Sequence, residues 1–141
     1  MDNMIYKGFF KSKDEKPNLD QKIYSIKEWP DHVVILEENN FNKFIEKFPL
    51  SLVDFWAPWC VPCQVIAPRI RRLSKIYKGK VAFGKLDTQK NQEIAKQYNI
   101  MGIPYLAFFS YGKKISGMIG VKSVGDIKNV INDILKKRNM K

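Results

Sequence analysis

Two cysteines, Cys60 and Cys63, have the type and spacing that best fit chemistry, and the chain contains no others. They follow an apolar run over residues 52–57 that predicts a buried strand. Pro58 ends that strand, and Pro62 suits the first turn of a helix. The free N–H groups and the dipole at a helix N-terminus stabilise a thiolate, which is the species that attacks disulfides. The spacing therefore predicts a reversible dithiol–disulfide pair, in which an exposed Cys60 attacks and Cys63 resolves.

Other uses of these residues are less well supported. A structural zinc site usually needs four Cys or His ligands, and this chain offers two cysteines and the single histidine His32, so we expect no metal. Two inert neighbouring thiols stay an alternative. The acid Asp54 lies inside the apolar run, where it is costly to bury unless it is protonated, paired or used.

The segment DFWAPWCVPC resembles the active-site strand and loop of the thioredoxin family, and further landmarks follow over about residues 33–135. The resemblance implies a thioredoxin fold and the reduction of protein disulfides. It also implies that Asp54 lies beneath Cys63 and helps to move its proton, with Lys85 nearby. Pro104 would follow a cis bond and present the backbone of Ile103 to an extended substrate. An apolar patch around Cys60 would comprise Trp59, Val61, Pro62, Gly102, Ile103, Gly120 and Val121.

Two positions depart from the family pattern. Val61 stands between the cysteines where thioredoxins usually have glycine, and Tyr105 follows the cis-proline position where they usually have threonine. The dipeptide between the cysteines influences thiolate stability and hence the reduction potential. A protein disulfide oxidase or isomerase is therefore the alternative to a reductase.

The rest of the chain predicts an α/β fold with a mixed sheet and helices on both faces. The periodicity of the apolar residues and the positions of the turn residues predict the order β-α-β-α-β-α-β-β-α. We expect strands over residues 33–36, 50–57, 81–87, 105–109 and 115–119, with a turn over 111–114. Helices are expected over 41–48, from Cys60 to Tyr77, over 91–98, and after a Ser123–Asp126 capping box.

Residues 1–31 fall outside the resemblance and predict a partly flexible N-terminal extension, with Trp29 as an anchor on a domain over 32–141. The net charge is +11, and residues 31–141 carry nineteen basic and nine acidic side chains. These cations are scattered, so we expect no nucleic acid partner, although a basic binding module stays a lesser alternative.

The sequence also bears on location and partners. No apolar run is long enough for a membrane span, and no secretory signal is visible, so we expect a cytoplasmic protein without a membrane partner. We also expect it to be a monomer. No glycine-rich pattern for a flavin or nicotinamide is present. We therefore expect no cofactor, disulfide-bearing protein substrates, and a separate reductase as the electron donor.

Overall fold

A mixed five-stranded sheet forms the centre of the computed structural model, which describes residues 29–139. The elements follow the predicted order. The strands are β1 (Val34–Leu36), β2 (Ser51–Trp56), β3 (Ala82–Asp87), β4 (Tyr105–Ser110) and β5 (Lys113–Ile119). The helices are α1 (Phe41–Lys47), α2 (Val61–Ile76), α3 (Gln92–Gln97) and α4 (Val124–Asn139).

Strand β2 lies in the middle of the sheet, whose strand order is β1-β3-β2-β4-β5. Strands β1 and β2 both pair with β3 in parallel, whereas β4 pairs antiparallel with β2, and β5 with β4. Every residue of β2 except Trp56 is buried, as the continuous apolar run predicts. Ligands of such sheets bind beyond the carboxyl ends of the strands, where the connections diverge. The cysteine pair follows that end of β2.

Helices cover both faces of the sheet and produce two apolar layers. On one face, the buried side chains of α1 and α3 pack on Val53 and Phe55 of β2. On the other face, α2 and α4 contribute Ile66, Ile70, Leu73, Ile127 and Ile131, which pack with Leu52. Because side chains alternate along a strand, Asp54 points to the same face as Leu52, toward α2. The predicted fold class is confirmed.

The turn between β4 and β5 is shorter than predicted. The turn residues are Tyr111 and Gly112, with φ of 46° and 89°, so β5 already begins at Lys113. Two central residues with positive φ form the kind of turn whose twist matches paired strands. The turn expected over 111–114 was therefore too long, because Lys113 belongs to the ladder and pairs with Ser110.

The N-terminal ends of α4 and α1 differ in how their backbone N–H groups are capped. Ser123 caps α4, since its Oγ accepts the Asp126 N–H at 3.0 Å. Asn40 stands at the N-cap of α1, but its Oδ1 accepts the Glu37 N–H at 2.7 Å and makes no bond to the helix. That side chain therefore closes the preceding turn and leaves the helix uncapped.

Trp29 packs on the domain, as predicted, with its ring centroid 4.9 Å from that of Phe48. The predicted extension over 1–31 lies mostly outside the described residues, and the domain boundary stays a prediction. Within residues 29–139, none of the helices has the length and apolar character needed to cross a bilayer.

Candidate active site

Cys60 is the N-cap residue of α2, and the local backbone explains why. Its N–H donates to the Ala57 carbonyl at 3.1 Å, which closes a turn at the end of β2. Its own carbonyl accepts the Gln64 N–H at 3.2 Å, which is the first hydrogen bond of the helix. Pro62 falls in the first turn, where a missing N–H costs nothing. The predicted strand-to-helix junction is confirmed.

The structure joins Cys60 and Cys63 in a disulfide, with the two Cα atoms 5.2 Å apart. The backbone N–H of Cys63 also donates to Cys60 Sγ at 3.2 Å. A donor aimed at this sulfur from the helix N-terminus stabilises negative charge on it. The geometry therefore favours Cys60 as the thiolate once the bond is reduced.

The expectation that Cys60 is well exposed needs correction for this oxidised form. Cys60 is 4% exposed and Cys63 is 2% exposed. Ala57, Trp56 and Ile103 pack around the two sulfur atoms and shield them. Capping the helix thus brings Cys60 nearly as far inside as its partner, and solvent meets only the small exposed part of Cys60, which we call the opening.

Asp54 is buried, as its apolar neighbours predict, with 4% of its surface exposed. Its Oδ1 has no hydrogen-bond partner among the described residues. Burial raises the pKa of this carboxyl to about 7, and the positive charge of Lys85 opposes that rise only in part. Desolvation disfavours the charged form more than one nearby cation restores it. Asp54 can therefore exchange a proton near neutral pH.

Lys85 is the register partner of Asp54 on the neighbouring strand β3. Its Nζ also lies 5.3 Å from the centre of the Trp56 ring. Asp54 and Lys85 both line a cavity of about 230 Å³, which Ala67 and Ile70 close on the α2 side. Ala67 is one turn after Cys63 on α2, so the carboxyl lies beneath the helix that begins at the disulfide.

The loop before β4 forms the wall opposite the disulfide. Its Ile103–Pro104 peptide bond is cis. The carbonyl oxygen of Ile103 lies 3.9 Å from Cys60 Sγ. The Gly120 N–H donates to the Pro104 carbonyl at 2.8 Å and ties this loop to the end of β5. The structure thus brings Ile103, Pro104 and Gly120 together with the cysteines.

The remaining predicted patch residues lie on the surface around this opening. Trp59 is 64% exposed and Val61 is 65% exposed, and both are adjacent to Cys60. Sequence analysis missed two further apolar side chains, Met101 at 88% exposure and Ile119 at 56%. Their positions could have identified them, because Met101 precedes Gly102 and Ile119 precedes Gly120, and both glycines were predicted patch residues. The other patch members are Pro62, Gly102 and Val121, of which Pro62 and Val121 are exposed and Gly102 is half-buried.

This arrangement can perform thiol–disulfide exchange. It supplies a sulfur with a stabilising N–H donor, a second sulfur in bonding contact, and a buried acid that titrates near neutrality. Within residues 29–139, no three His, Cys, Asp or Glu side chains form a group that could hold a metal ion.

Comparisons with known proteins agree with this site. The thioredoxin family model matches residues 32–133. A spinach "Thioredoxin M-type, chloroplastic" is 45% identical over 61% of this chain, although the match spans only 45% of that protein's length. The thioredoxin of Buchnera aphidicola subsp. Schizaphis graminum is 34% identical over 74% of this chain and 97% of its own. The solved N21Q mutant thioredoxin from Halobacterium salinarum NRC-1 superposes with a TM-score of 0.71 at 26% identity, covering 75% of this chain and 93% of that one. The chain therefore belongs to the thioredoxin family.

Proposed function

We propose that this protein is a thiol–disulfide oxidoreductase that reduces protein disulfides through the reversible Cys60–Cys63 pair. The observation that carries the proposal is the disulfide at the N-terminus of α2, in which Cys60 Sγ accepts the Cys63 N–H at 3.2 Å. This hydrogen bond favours the charged form of one sulfur over the other. It supports Cys60 as the proposed nucleophile and Cys63 as the proposed resolving cysteine.

The reaction has two exchange steps. In the first, the Cys60 thiolate attacks a client disulfide, a bond forms between Cys60 Sγ and one client sulfur, and the other client sulfur leaves as a thiolate. In the second, the Cys63 thiol loses its proton and attacks Cys60 Sγ. The Cys60–Cys63 bond then forms, and the second client thiolate is released. The client gains two electrons, and the cysteine pair loses two.

Asp54 is the proposed proton acceptor for Cys63. A base is most effective when its pKa is close to the working pH, and burial raises the pKa of Asp54 to about 7. Lys85 limits that rise and keeps part of the carboxyl ionised. Among residues 29–139, no other acidic side chain lines the cavity beneath α2. Removing the carboxyl in Asp54→Asn should slow release of the mixed disulfide by roughly 100-fold, the low end for a general base.

The proposed substrate surface is the opening around Cys60. Its rim is apolar and exposed at Trp59 and Val61. An extended client segment could pair with the backbone of Ile103 beside cis-Pro104, as an added strand. Gly102, Pro62, Gly120 and Val121 would complete the contact surface. Proteins that carry an accessible disulfide in an extended segment are therefore the proposed substrates.

A separate dithiol reductase is the proposed electron donor, since re-reduction of the Cys60–Cys63 bond consumes two electrons. A cytoplasmic location and a monomeric state also stay predictions. The relatives include bacterial thioredoxins as well as a protein named chloroplastic, so location requires its own measurement.

Reduction of insulin by dithiothreitol, followed by turbidity, tests the proposal. The wild type should accelerate precipitation of the insulin B chain, and Cys60→Ser should abolish the acceleration. Ser123→Ala removes a distant helix cap and serves as a control that should leave the rate unchanged. Undiminished activity in Cys60→Ser would contradict the proposed nucleophile.

An oxidase or isomerase is the second candidate, because Val61 stands between the cysteines and is 65% exposed. A side chain there alters the surroundings of the thiolate and thus the reduction potential. Equilibration with a series of glutathione buffers distinguishes the two directions. A reduction potential near that of protein disulfide isomerase would favour the isomerase, and a clearly more reducing potential would favour the reductase.

A further inference from the structure

Tyr105 begins β4 directly after Pro104, and its side chain reaches across the sheet toward β5. The ring meets Phe55 edge-on, with centroids 6.3 Å apart. Its hydroxyl accepts a hydrogen bond from Lys114 Nζ at 2.6 Å. The same ammonium lies 4.7 Å from the centre of the Tyr105 ring. Tyr105 is therefore held at both ends, by the core and by a cation on β5.

Gly117 provides the room for this contact. Ala107 pairs with Gly117 in the β4–β5 ladder, so the glycine lies between Tyr105 and Lys114 on the sheet. A Cβ atom added at Gly117 would overlap the Tyr105 hydroxyl. The phenol can cross β5 at this position only because no side chain is present there.

A bulge in β5 places the Lys114 ammonium group beside Tyr105. Phe108 pairs with Ser116, and Phe109 pairs with Lys114, so Ile115 is the extra residue. Side chains opposite each other in a ladder point to the same face, and Tyr105, Ala107 and Phe109 share one face of β4. The bulge therefore turns Lys114 to the face of Tyr105, whereas strict alternation from Gly117 would have placed Ile115 there.

The Tyr105–Lys114 contact, Gly117 and the bulge in β5 all lie beside the proposed substrate surface. The Ile103 carbonyl, two residues before Tyr105, lies 3.9 Å from Cys60 Sγ. The Gly120 N–H binds the Pro104 carbonyl, so β5 holds the backbone just before Tyr105 as well. The side-chain contact and the backbone contact thus fasten the same short segment to the same strand.

We propose that Tyr105 and Lys114 are positioning residues that hold the Ile103–Pro104 backbone in place for an extended client. The inference rests on the proposed disulfide reductase function and adds residues to it. Neither side chain touches a sulfur atom. Their effect is therefore expected in the recognition of a polypeptide client, and the intrinsic reactivity of Cys60 should not change.

The test compares Lys114→Met and Tyr105→Phe with Lys113→Met, which removes a neighbouring, exposed cation from the same strand. Two substrates are used, insulin and the small aromatic disulfide dithiobis-nitrobenzoate. For insulin, Lys114→Met and Tyr105→Phe should raise KM by roughly 3- to 10-fold, the value of one lost hydrogen bond, with little change in kcat. Rates with the small disulfide should stay within about twofold, since it needs no strand-like contact.

The two substitutions should also be non-additive, because both remove the hydrogen bond between Lys114 Nζ and the Tyr105 hydroxyl. The double variant should match the single variants in KM. An unchanged KM in Lys114→Met, or an equal rise in Lys113→Met, would overturn the inference while leaving the reductase function intact. Equal losses with both substrates would also overturn it, since they would indicate a general effect on Cys60. A wild type that reduces neither substrate would instead refute the proposed function, and this inference with it.

Discussion

At the residue scale, the two sulfur atoms have different surroundings and should behave differently when replaced. Cys60 Sγ receives an N–H donor, whereas Cys63 lies in the first turn of α2, one turn before Ala67, which lines the Asp54 cavity. In Cys63→Ser the attacking thiolate is retained and the resolving thiol is lost. We expect this variant to accumulate a mixed disulfide with client proteins, visible as a reducible high-mass band on non-reducing gels.

The control for this trapping experiment is Cys60→Ser, which should form no such band. Mass spectrometry of the trapped species should identify Cys60 as the linked residue. Equal trapping by both variants would contradict the assignment of separate roles.

The Asp54 carboxyl gives the protein a pH-dependent free energy of unfolding. Its pKa is about 7 in the folded state, against an ordinary value of 3.8 in the unfolded chain. Below the unfolded pKa both states are protonated, and the group contributes nothing. As the pH rises toward the folded pKa, only the unfolded chain loses its proton, so stability falls. Above the folded pKa the cost is complete, at about 4 kcal/mol.

Asp54→Asn should therefore stabilise the protein by a few kcal/mol above neutral pH and change little near pH 4, by order-of-magnitude linkage. Urea unfolding at both pH values measures this difference. The control is Asp133→Asn, whose carboxyl is 61% exposed and pairs with Lys137 on the surface. An exposed pair contributes at most about 1 kcal/mol. A stability gain from Asp54→Asn that is the same at both pH values would exclude linkage to this carboxyl.

The Asp54 carboxyl and the two thiols could be identified from the sequence, because residues of these types are unusual in their surroundings. An acid within an apolar run and two thiols beside a helix start both demand an explanation. The burial of Cys60 could not be found in this way. It depends on Ile103, which is distant in the sequence and reaches the cysteines only through the pairing of β4 with β2.

At the element scale, the β4–β5 turn depends on the backbone freedom of Gly112, whose φ is +89°. An L side chain in this region costs about 1–2 kcal/mol. Gly112→Ala should therefore lower the free energy of unfolding by that amount. The matched control is Gly125→Ala in α4, where an added Cβ would meet only Ser123 Oγ at 3.8 Å. There alanine should stabilise by about 0.5 kcal/mol.

Urea unfolding of the two alanine variants measures whether the free energy of unfolding falls in Gly112→Ala and rises in Gly125→Ala. Destabilisation of similar size at both glycines would show that the turn has no special requirement at Gly112.

Element types and order were predictable because the apolar periods are regular, as in α1 and α2. The course of β5 was not predictable from the sequence. Its turn uses Tyr111, a non-glycine residue with positive φ, and its bulge at Ile115 changes the alternation of side chains. The Tyr105–Lys114 contact follows from that bulge, so no spacing rule could have predicted it.

At the scale of the whole molecule, the net charge of +11 should influence which clients react quickly. A positive surface speeds encounters with acidic proteins, and salt screens this attraction. Reduction of an acidic protein disulfide should slow by about 10-fold or more between low and physiological ionic strength. Stopped-flow rates at several salt concentrations measure the effect.

A neutral small disulfide serves as the reference for this series, and its rate should hardly change with salt. A basic client should show the opposite trend. Identical salt dependence for all three substrates would indicate that surface charge does not steer association.

The narrow opening over Cys60 also has a kinetic consequence. Cys60 is 4% exposed, is adjacent to the exposed Trp59 and packs against Ile103, and in the proposed reaction it must serve both the client and the electron donor. The two proteins therefore cannot occupy the site together. Each has to leave before the other arrives, which is a ping-pong order of reaction. An excess of oxidised client should accordingly compete with the donor for the site, and an inert protein that covers Cys60 should compete with both.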